Sequence, residues 1–240
     1  MAALIYGALC YVAFLGSFLY FFGFVGNVAV PKSIDSGVAG SPTAALIVDA
    51  ILLALFALQH SVMARPSFKR WWTRFVPASV ERSTYVLMTS LVLILLYWQW
   101  RPLPGVIWSV TSPAGAAILM AVTLAGCAIV LVSTFLISHF SLFGLSQVYA
   151  HWRRQPAESP VFQTPSLYRF VRHPIYFGSL LALWAPSVMT AGHLLFAAAF
   201  TIYIFVGIWL EERDLVTSHG SAYVDYRKRV SMIVPLPPRS

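Results

Sequence analysis

Long apolar runs recur from one end of this chain to the other, and a water-soluble fold of 240 residues lacks the polar surface to cover them. A helix needs about 20 mainly apolar residues to cross the hydrocarbon of a bilayer. Such runs occupy Ala3 to Val30, Ala44 to Ala64, Ser83 to Trp100 and Ala114 to Ser138. A polar stretch from His139 to His173 follows, then two more apolar runs, Ile175 to Met189 and His193 to Leu210. A polar, basic tail begins at Glu211. Charged residues make up only 10% of the chain, against about 25% in an ordinary soluble domain. These features predict an all-α fold, a polytopic transmembrane helix bundle of five to six spans with a C-terminal helical hairpin and a polar tail. One membrane domain is expected, divided into N-terminal transmembrane helices over 1–138 and a region over 139–240 that carries the loop, hairpin and tail.

The first run is far longer than the h-region of about 7–15 residues in a signal peptide. It has no basic residue before it and reads as a first span. The fifth run is short: as a helix it rises about 22 Å against a hydrocarbon core of about 30 Å. Its helix is expected either at Ile175 or from near Pro165 with Pro174 as a kink, and Thr190 to Gly192 is expected to break the hairpin. Cys10 and Cys127 lie inside apolar runs and read as small packing residues rather than a disulfide or metal site.

The net charge of +8 is read as membrane topology, not as a nucleic-acid footprint. Arg65, Lys69, Arg70, Arg74 and Arg82 follow the second run, Arg153, Arg154, Arg169 and Arg172 the fourth, and Arg213, Arg227, Lys228, Arg229 and Arg239 the last. The alternate loops hold only Lys32 and Arg101. The positive-inside rule then places both termini in the cytoplasm.

Polar groups concentrate in three stretches: Leu167 to Gly178, containing Arg-His-Pro-x-Tyr-x-Gly; Glu211 to Leu215, reading Glu-Glu-x-x-Leu; and Gly220 to Arg227, with Gly-x-x-Tyr-x-x-Tyr. Glu211 and Glu212 stand where the sixth apolar run stops, either as solvated residues at a helix end or as carboxylates facing the hairpin interior. At a helix C-terminus they would oppose the macrodipole, which favours a functional role for one of them. Pro174 removes a donor and biases His173 away from helix, leaving its imidazole for a ligand or for a turn. Ionisable groups at membrane depth are functional by default. His60, close to the basic end of the second run, and His139 are therefore candidates for catalysis, with interhelical hydrogen bonding as the alternative. Asp49 lies about 16 Å deeper by helical rise and reads as a separate packing group.

The three ordered blocks are similar to the C-terminal signature of the membrane methyltransferases typified by isoprenylcysteine carboxyl methyltransferase and the phospholipid methyltransferases. Further blocks narrow the resemblance: Leu58 to Arg65 with Gln-His-Ser, Glu81 to Tyr85, and His139 to Val148. Together they resemble the bacterial methanethiol S-methyltransferases; denitrification-associated membrane proteins share the Gln-His-Ser block. The resemblance implies S-adenosylmethionine (SAM) as cofactor, a small thiol such as methanethiol as substrate and dimethyl sulfide as product. It implies a multi-pass protein of the bacterial inner membrane in contact with lipid, without a nucleic-acid partner or a metal. It implies cofactor contacts from Tyr168, His173, Pro174, Ile175, Tyr176, Glu211 and Glu212. Phe162, Gln163 and the adjoining Pro160 and Val161 follow more loosely, and Gln147 on motif alone. Tyr176 is placed either on the adenine or facing the sulfonium, where aromatic rings attract cations. The isoprenylcysteine enzymes carry an arginine where Gly207 stands here, so a carboxylate clamp is missing and a small uncharged thiol fits better. Four alternatives stay open: a methyltransferase for a lipid or larger thiol acceptor, a membrane reductase, a haem carrier with His60 and His139 as axial ligands, and a non-catalytic membrane partner in nitrogen-oxide metabolism, which the shared Gln-His-Ser block alone supports.

Overall fold

The computed structural model describes residues 1–156 and 162–238. In chain order the elements are α1 (Ala2–Gly26), α2 (Pro42–Ala64), α3 (Pro66–Trp72), α4 (Ala78–Gln99), β1 (Val106–Ser109), α5 (Pro113–Ile137), α6 (His139–Leu142) and α7 (Leu145–Arg153). A 3-10 turn (Ser166–Arg169), α8 (Pro174–Trp184), β2 (Val188–Thr190), α9 (Ala191–His219) and α10 (Ser221–Arg229) follow. Among the described residues, five helices, α1, α2, α4, α5 and α9, are long and apolar enough to cross a membrane. Their outer faces carry Leu9, Val12, Leu19, Ile118, Leu124 and Ile202, each more than half exposed. Apolar side chains left on the outside are what a multi-pass membrane bundle presents.

Two compact units form. The first comprises Met1–Val106, Ser138–Ser159 and Thr190–His193. Many polar groups in its interior are hydrogen-bonded, as a low-dielectric interior favours. The Tyr97 hydroxyl donates to Ser17 O (3.1 Å), and the fully buried Asp49 accepts the Arg101 N–H on Oδ1 (3.0 Å). Lys32 Nζ donates to Trp98 O. Arg82 Nε donates to Leu142 O (2.7 Å) and Ser83 Oγ to Gly144 O (3.3 Å), which fastens the α6–α7 turn to the start of α4.

The second unit comprises Ile107–Ile137, Pro160–Met189 and Leu194–Ser240. Here α5 and α8 cross with their backbones almost touching. A β carbon added at Gly126 would stand 2.5 Å from Gly178 O, and one at Gly178 would stand 2.6 Å from Gly126 O. Only glycine on both sides permits that approach.

Three expectations about the last helices change. Pro174 is not a kink in a helix begun near Pro165. The 3-10 turn ends at Arg169, His173 is the N-cap of α8, and Pro174 is its first residue. The missing N–H of proline is harmless there and disruptive deeper in a helix. The fifth apolar run does not stay helical to Met189: α8 stops at Trp184, and Val188–Thr190 is a strand. Finally, Glu211 and Glu212 are not at a helix end. No proline or glycine lies between Glu211 and His219, so α9 continues through these residues to His219 and ends at Gly220, whose φ of 55° suits glycine. The dipole argument for the glutamates is thereby lost. By helical rise, Glu211 lies about 30 Å from Ala191, the thickness of the hydrocarbon core.

The Gly126–Gly178 crossing sets a test. Gly178→Val is expected to destabilise the protein by about 1–3 kcal/mol, the range for overpacked sites, seen as a lower midpoint in thermal unfolding in detergent. Gly16→Ala, where a β carbon meets nothing within 4 Å, is expected not to lower it.

Candidate cofactor site

The polar residues of the second unit converge where α8 begins. The 3-10 turn and residues 170–173 bring Tyr168, Arg172 and His173 to the N-terminus of α8, and Tyr176 follows on its first turn. Glu211 and Glu212 arrive from α9, and Tyr223, Tyr226 and Arg227 from α10. The tail beyond α10 lies along residues 170–173. Val171 and Ser231 form a parallel bridge, Arg172 N–H donates to Ser231 O (2.8 Å), His173 N–H to Met232 O (3.2 Å), and Leu236 N–H to Phe170 O (3.3 Å).

The two glutamates are placed differently, because neighbours on a helix point about 100° apart. The Glu212 side chain is 12% exposed and ringed by donors: Arg172 Nε at 2.8 Å and Arg227 Nη1 at 3.7 Å. His173 Nε2 lies 3.1 Å from the same carboxylate. The Glu211 side chain is 45% exposed. It accepts a hydrogen bond from the Tyr176 hydroxyl (3.1 Å) on Oε2, with His173 Nδ1 at 3.8 Å. Tyr226 donates to Tyr168 O (2.6 Å), and Phe162 packs edge-on against Tyr223 and Tyr226. Burial, reinforced by Glu211, raises the Tyr168 phenol well above its ordinary range. Burial also raises Tyr223, beside Glu212, and pushes Tyr226 up to about 12. All three hydroxyls are neutral near pH 7.

Of the residues singled out in the sequence, the structure gathers Phe162, Tyr168, His173, Pro174, Tyr176, Glu211 and Glu212, with Ile175 half-buried on α8 and Gln163 exposed nearby in the chain. Pro160 and Val161 lie outside the described residues. Gln147, His60 and His139 belong to the first unit. Gln147 Nε2 donates to Ser141 O (3.0 Å). His60 stands between Tyr85 and Thr89, with Nε2 at 2.9 Å from the Tyr85 hydroxyl and Nδ1 at 3.3 Å from Thr89 Oγ1. The Thr89 hydroxyl donates to Tyr85 O (3.0 Å). Nδ1 therefore carries the proton and Nε2 accepts from Tyr85. His139 is buried among Tyr11, Phe14, Phe140 and Phe143, with Nε2 at 2.8 Å from the Tyr11 hydroxyl. Burial lowers its pKa below the ordinary 6.5. Among the described residues no cluster of three or more His, Cys, Asp or Glu has the arrangement of a metal site.

Arg172, Arg227, Tyr223 and Tyr226 were not singled out as functional from the sequence. Their only signal was membership of the Arg-His-Pro and Gly-x-x-Tyr-x-x-Tyr blocks. Which of those side chains meet depends on how the tail folds back.

The model of the NnrU family, described as NnrU protein, matches residues 50–234. A methanethiol S-methyltransferase of Mycobacterium tuberculosis is 56% identical over 236 residues, covering 98% of this chain and 97% of that protein. Methanethiol S-methyltransferase 1 of Bradyrhizobium diazoefficiens is 57% identical over 233 residues, covering 97% of this chain and 82% of its own. Nurim of Mus musculus is 31% identical over 180 residues, covering 72% of this chain and 68% of its own. No solved structure matches. The family model covers most of the chain and the bacterial relatives nearly all of it, so the chain belongs to the NnrU family and shares a family with these methanethiol S-methyltransferases.

Proposed function

We propose that this chain is an integral membrane methyltransferase that uses SAM to methylate methanethiol, giving dimethyl sulfide. The observation that carries the reading is the pair of adjacent glutamates that α9 brings to the start of α8. Glu212 is neutralised inside the protein, while Glu211 keeps a half-exposed carboxylate beside Tyr176 and His173. An acceptor of that kind suits the donor's ribose diol or ammonium, and the Tyr176 ring suits its sulfonium or adenine. When bound, the cofactor supplies an electrophilic methyl group on a cationic sulfur. Tyr168, Tyr176, Glu211 and the backbone of His173, Pro174 and Ile175 would hold and orient it, with Phe162 and Gln163 as outer contacts. These ligands all fall within 139–240, the proposed cofactor-binding region.

The chain must also deal with a proton, since the thiolate and not the thiol is the nucleophile. For its removal we assign the imidazoles of His60 and His139. Each presents an Nε2 paired to a tyrosine hydroxyl, Tyr85 for His60 and Tyr11 for His139. Thr89 places a proton on His60 Nδ1, and burial favours the neutral form of His139. In this reading the basic loops and both termini face the cytoplasm of a bacterial cell. The cofactor enters from water and the neutral thiol from lipid.

The decisive experiment is gas-phase detection of dimethyl sulfide from the purified chain in detergent, given methanethiol and SAM; no product overturns the reading. Glu211→Gln is expected to weaken binding of the demethylated product, S-adenosylhomocysteine, by about tenfold to a hundredfold in calorimetry, the scale of one charge-assisted hydrogen bond. His60→Ala and His139→Ala are expected to lower kcat, by about a hundredfold for the residue that takes the proton, with product affinity retained. The sign of the His139 shift sets the pH profile. A depressed pKa leaves the base unprotonated to lower pH than usual, so the midpoint of the rise of kcat with pH is expected below the ordinary histidine value of about 6.5.

A further inference from the structure

We propose that Arg172 is a positioning residue. Paired with Glu212, it fastens the C-terminal strap, residues 230–236, to the entrance of α8, and so sets where His173, Tyr176 and Glu211 stand. The proposal deepens the cofactor reading above and rests on it.

Four bonds meet at Arg172. Its backbone N–H donates to Ser231 O (2.8 Å). Its Nη1 donates to Arg227 O (3.0 Å) and to Val230 O (2.5 Å). Its Nε donates to Glu212 Oε1 (2.8 Å). The two carbonyls belong to the end of α10, where acceptors have no partner within the helix and the dipole is negative. One guanidinium thus closes α10, pins the strap and neutralises a carboxylate from α9. The side chain is 10% exposed, so its bonds to Glu212 and Val230 are largely shielded from water and costly to leave half-made. Lysine could supply the charge, but not the planar fork that reaches the carboxylate and both carbonyls together.

The same geometry separates the two glutamates. Glu212 Oε1 already faces Arg172 and His173, and Oε2 faces Arg227. Its carboxylate is committed within the protein, and it influences a ligand through the residues it holds. The link to the site is short: His173 bonds Glu212 through Nε2 and the strap through its backbone N–H, and it is the N-cap from which α8 presents Tyr176.

The test uses the full chain in detergent with Arg172→Gln, Arg172→Lys, Glu212→Gln, the Arg172→Gln/Glu212→Gln double variant and Glu211→Gln. Two quantities are read: S-adenosylhomocysteine affinity by calorimetry, and ligand-free hydrogen exchange at the amides of Arg172, His173 and Leu236. Arg172→Gln and Glu212→Gln are each expected to weaken binding by about tenfold or more and to speed exchange at those amides. The double variant is expected to be no worse than the weaker single, because both remove one link. Arg172→Lys is expected to fall between wild type and Arg172→Gln. Glu211→Gln is expected to lose affinity with exchange unchanged. The positioning role is overturned if Glu212→Gln loses affinity while exchange stays at the wild-type rate, if the two single losses multiply, or if Arg172→Gln binds like wild type. A wild-type chain that binds no S-adenosylhomocysteine overturns the cofactor reading itself, a result none of the variant comparisons can mimic.

Discussion

A carboxylate taken out of water must find positive charge or hydrogen-bond donors, and in the second unit that demand falls on Glu212. Arg172 and Arg227 answer it, with His173 alongside. Because Arg172 comes from the segment before α8, Arg227 from α10 and Glu212 from α9, meeting the demand draws three separate parts of the chain together. The entry of α8, the end of α10 and the strap beyond it are arranged around one buried negative charge. Ion pairs of this kind contribute little net stability after desolvation, but they fix geometry because alternative arrangements leave a charge unpaired.

The same accounting of polar groups explains the interior of the first unit. Asp49 accepts from a backbone amide, His60 is held between Thr89 and Tyr85, and His139 bonds Tyr11 inside an aromatic cluster. A membrane interior tolerates such groups where neighbours satisfy them. Two of these neighbours are tyrosines whose hydroxyls meet an imidazole, so the bonds that make the histidines tolerable also couple each ring to a second proton carrier.

Hydropathy made the long helices legible. The spans read from the sequence as Ala44 to Ala64 and Ala114 to Ser138 are the helices Pro42–Ala64 and Pro113–Ile137. What it could not show was where a helix outlives its apolar run. α9 continues for two turns beyond Leu210 because Glu, Arg, Asp and Leu are all compatible with helix and no breaker intervenes before Gly220. Proline was misread for a related reason. The same residue kinks a helix from inside and opens one from its first position, and only the dihedrals of His173 distinguish the two. The motif blocks identified most members of the candidate site and put Glu211 first of the two glutamates, yet they did not show that Glu212 is held by Arg172 and Arg227. The difference between them arises from the tail folding back on residues 170–173, a long-range pairing with no local signature.

The early end of α8 has a geometric consequence. Eleven helical residues rise about 16 Å, whereas non-helical backbone covers up to about 3.3 Å per residue. The stretch from Ala185 to Thr190 therefore adds as much as about 20 Å. Its carbonyls are met by Thr123 Oγ1 on Ala185 O (3.2 Å), Trp108 Nε1 on Pro186 O (3.4 Å) and Val110 N–H on Ser187 O (2.8 Å). Seventeen residues wound entirely as helix would travel only about 26 Å and leave His173 and Tyr176 short of the level that α9 reaches at Glu211. The unwound third of this arm acts as a ruler: by trading coil for reach, it brings the parts of the motif carried on α8 and α9 into register.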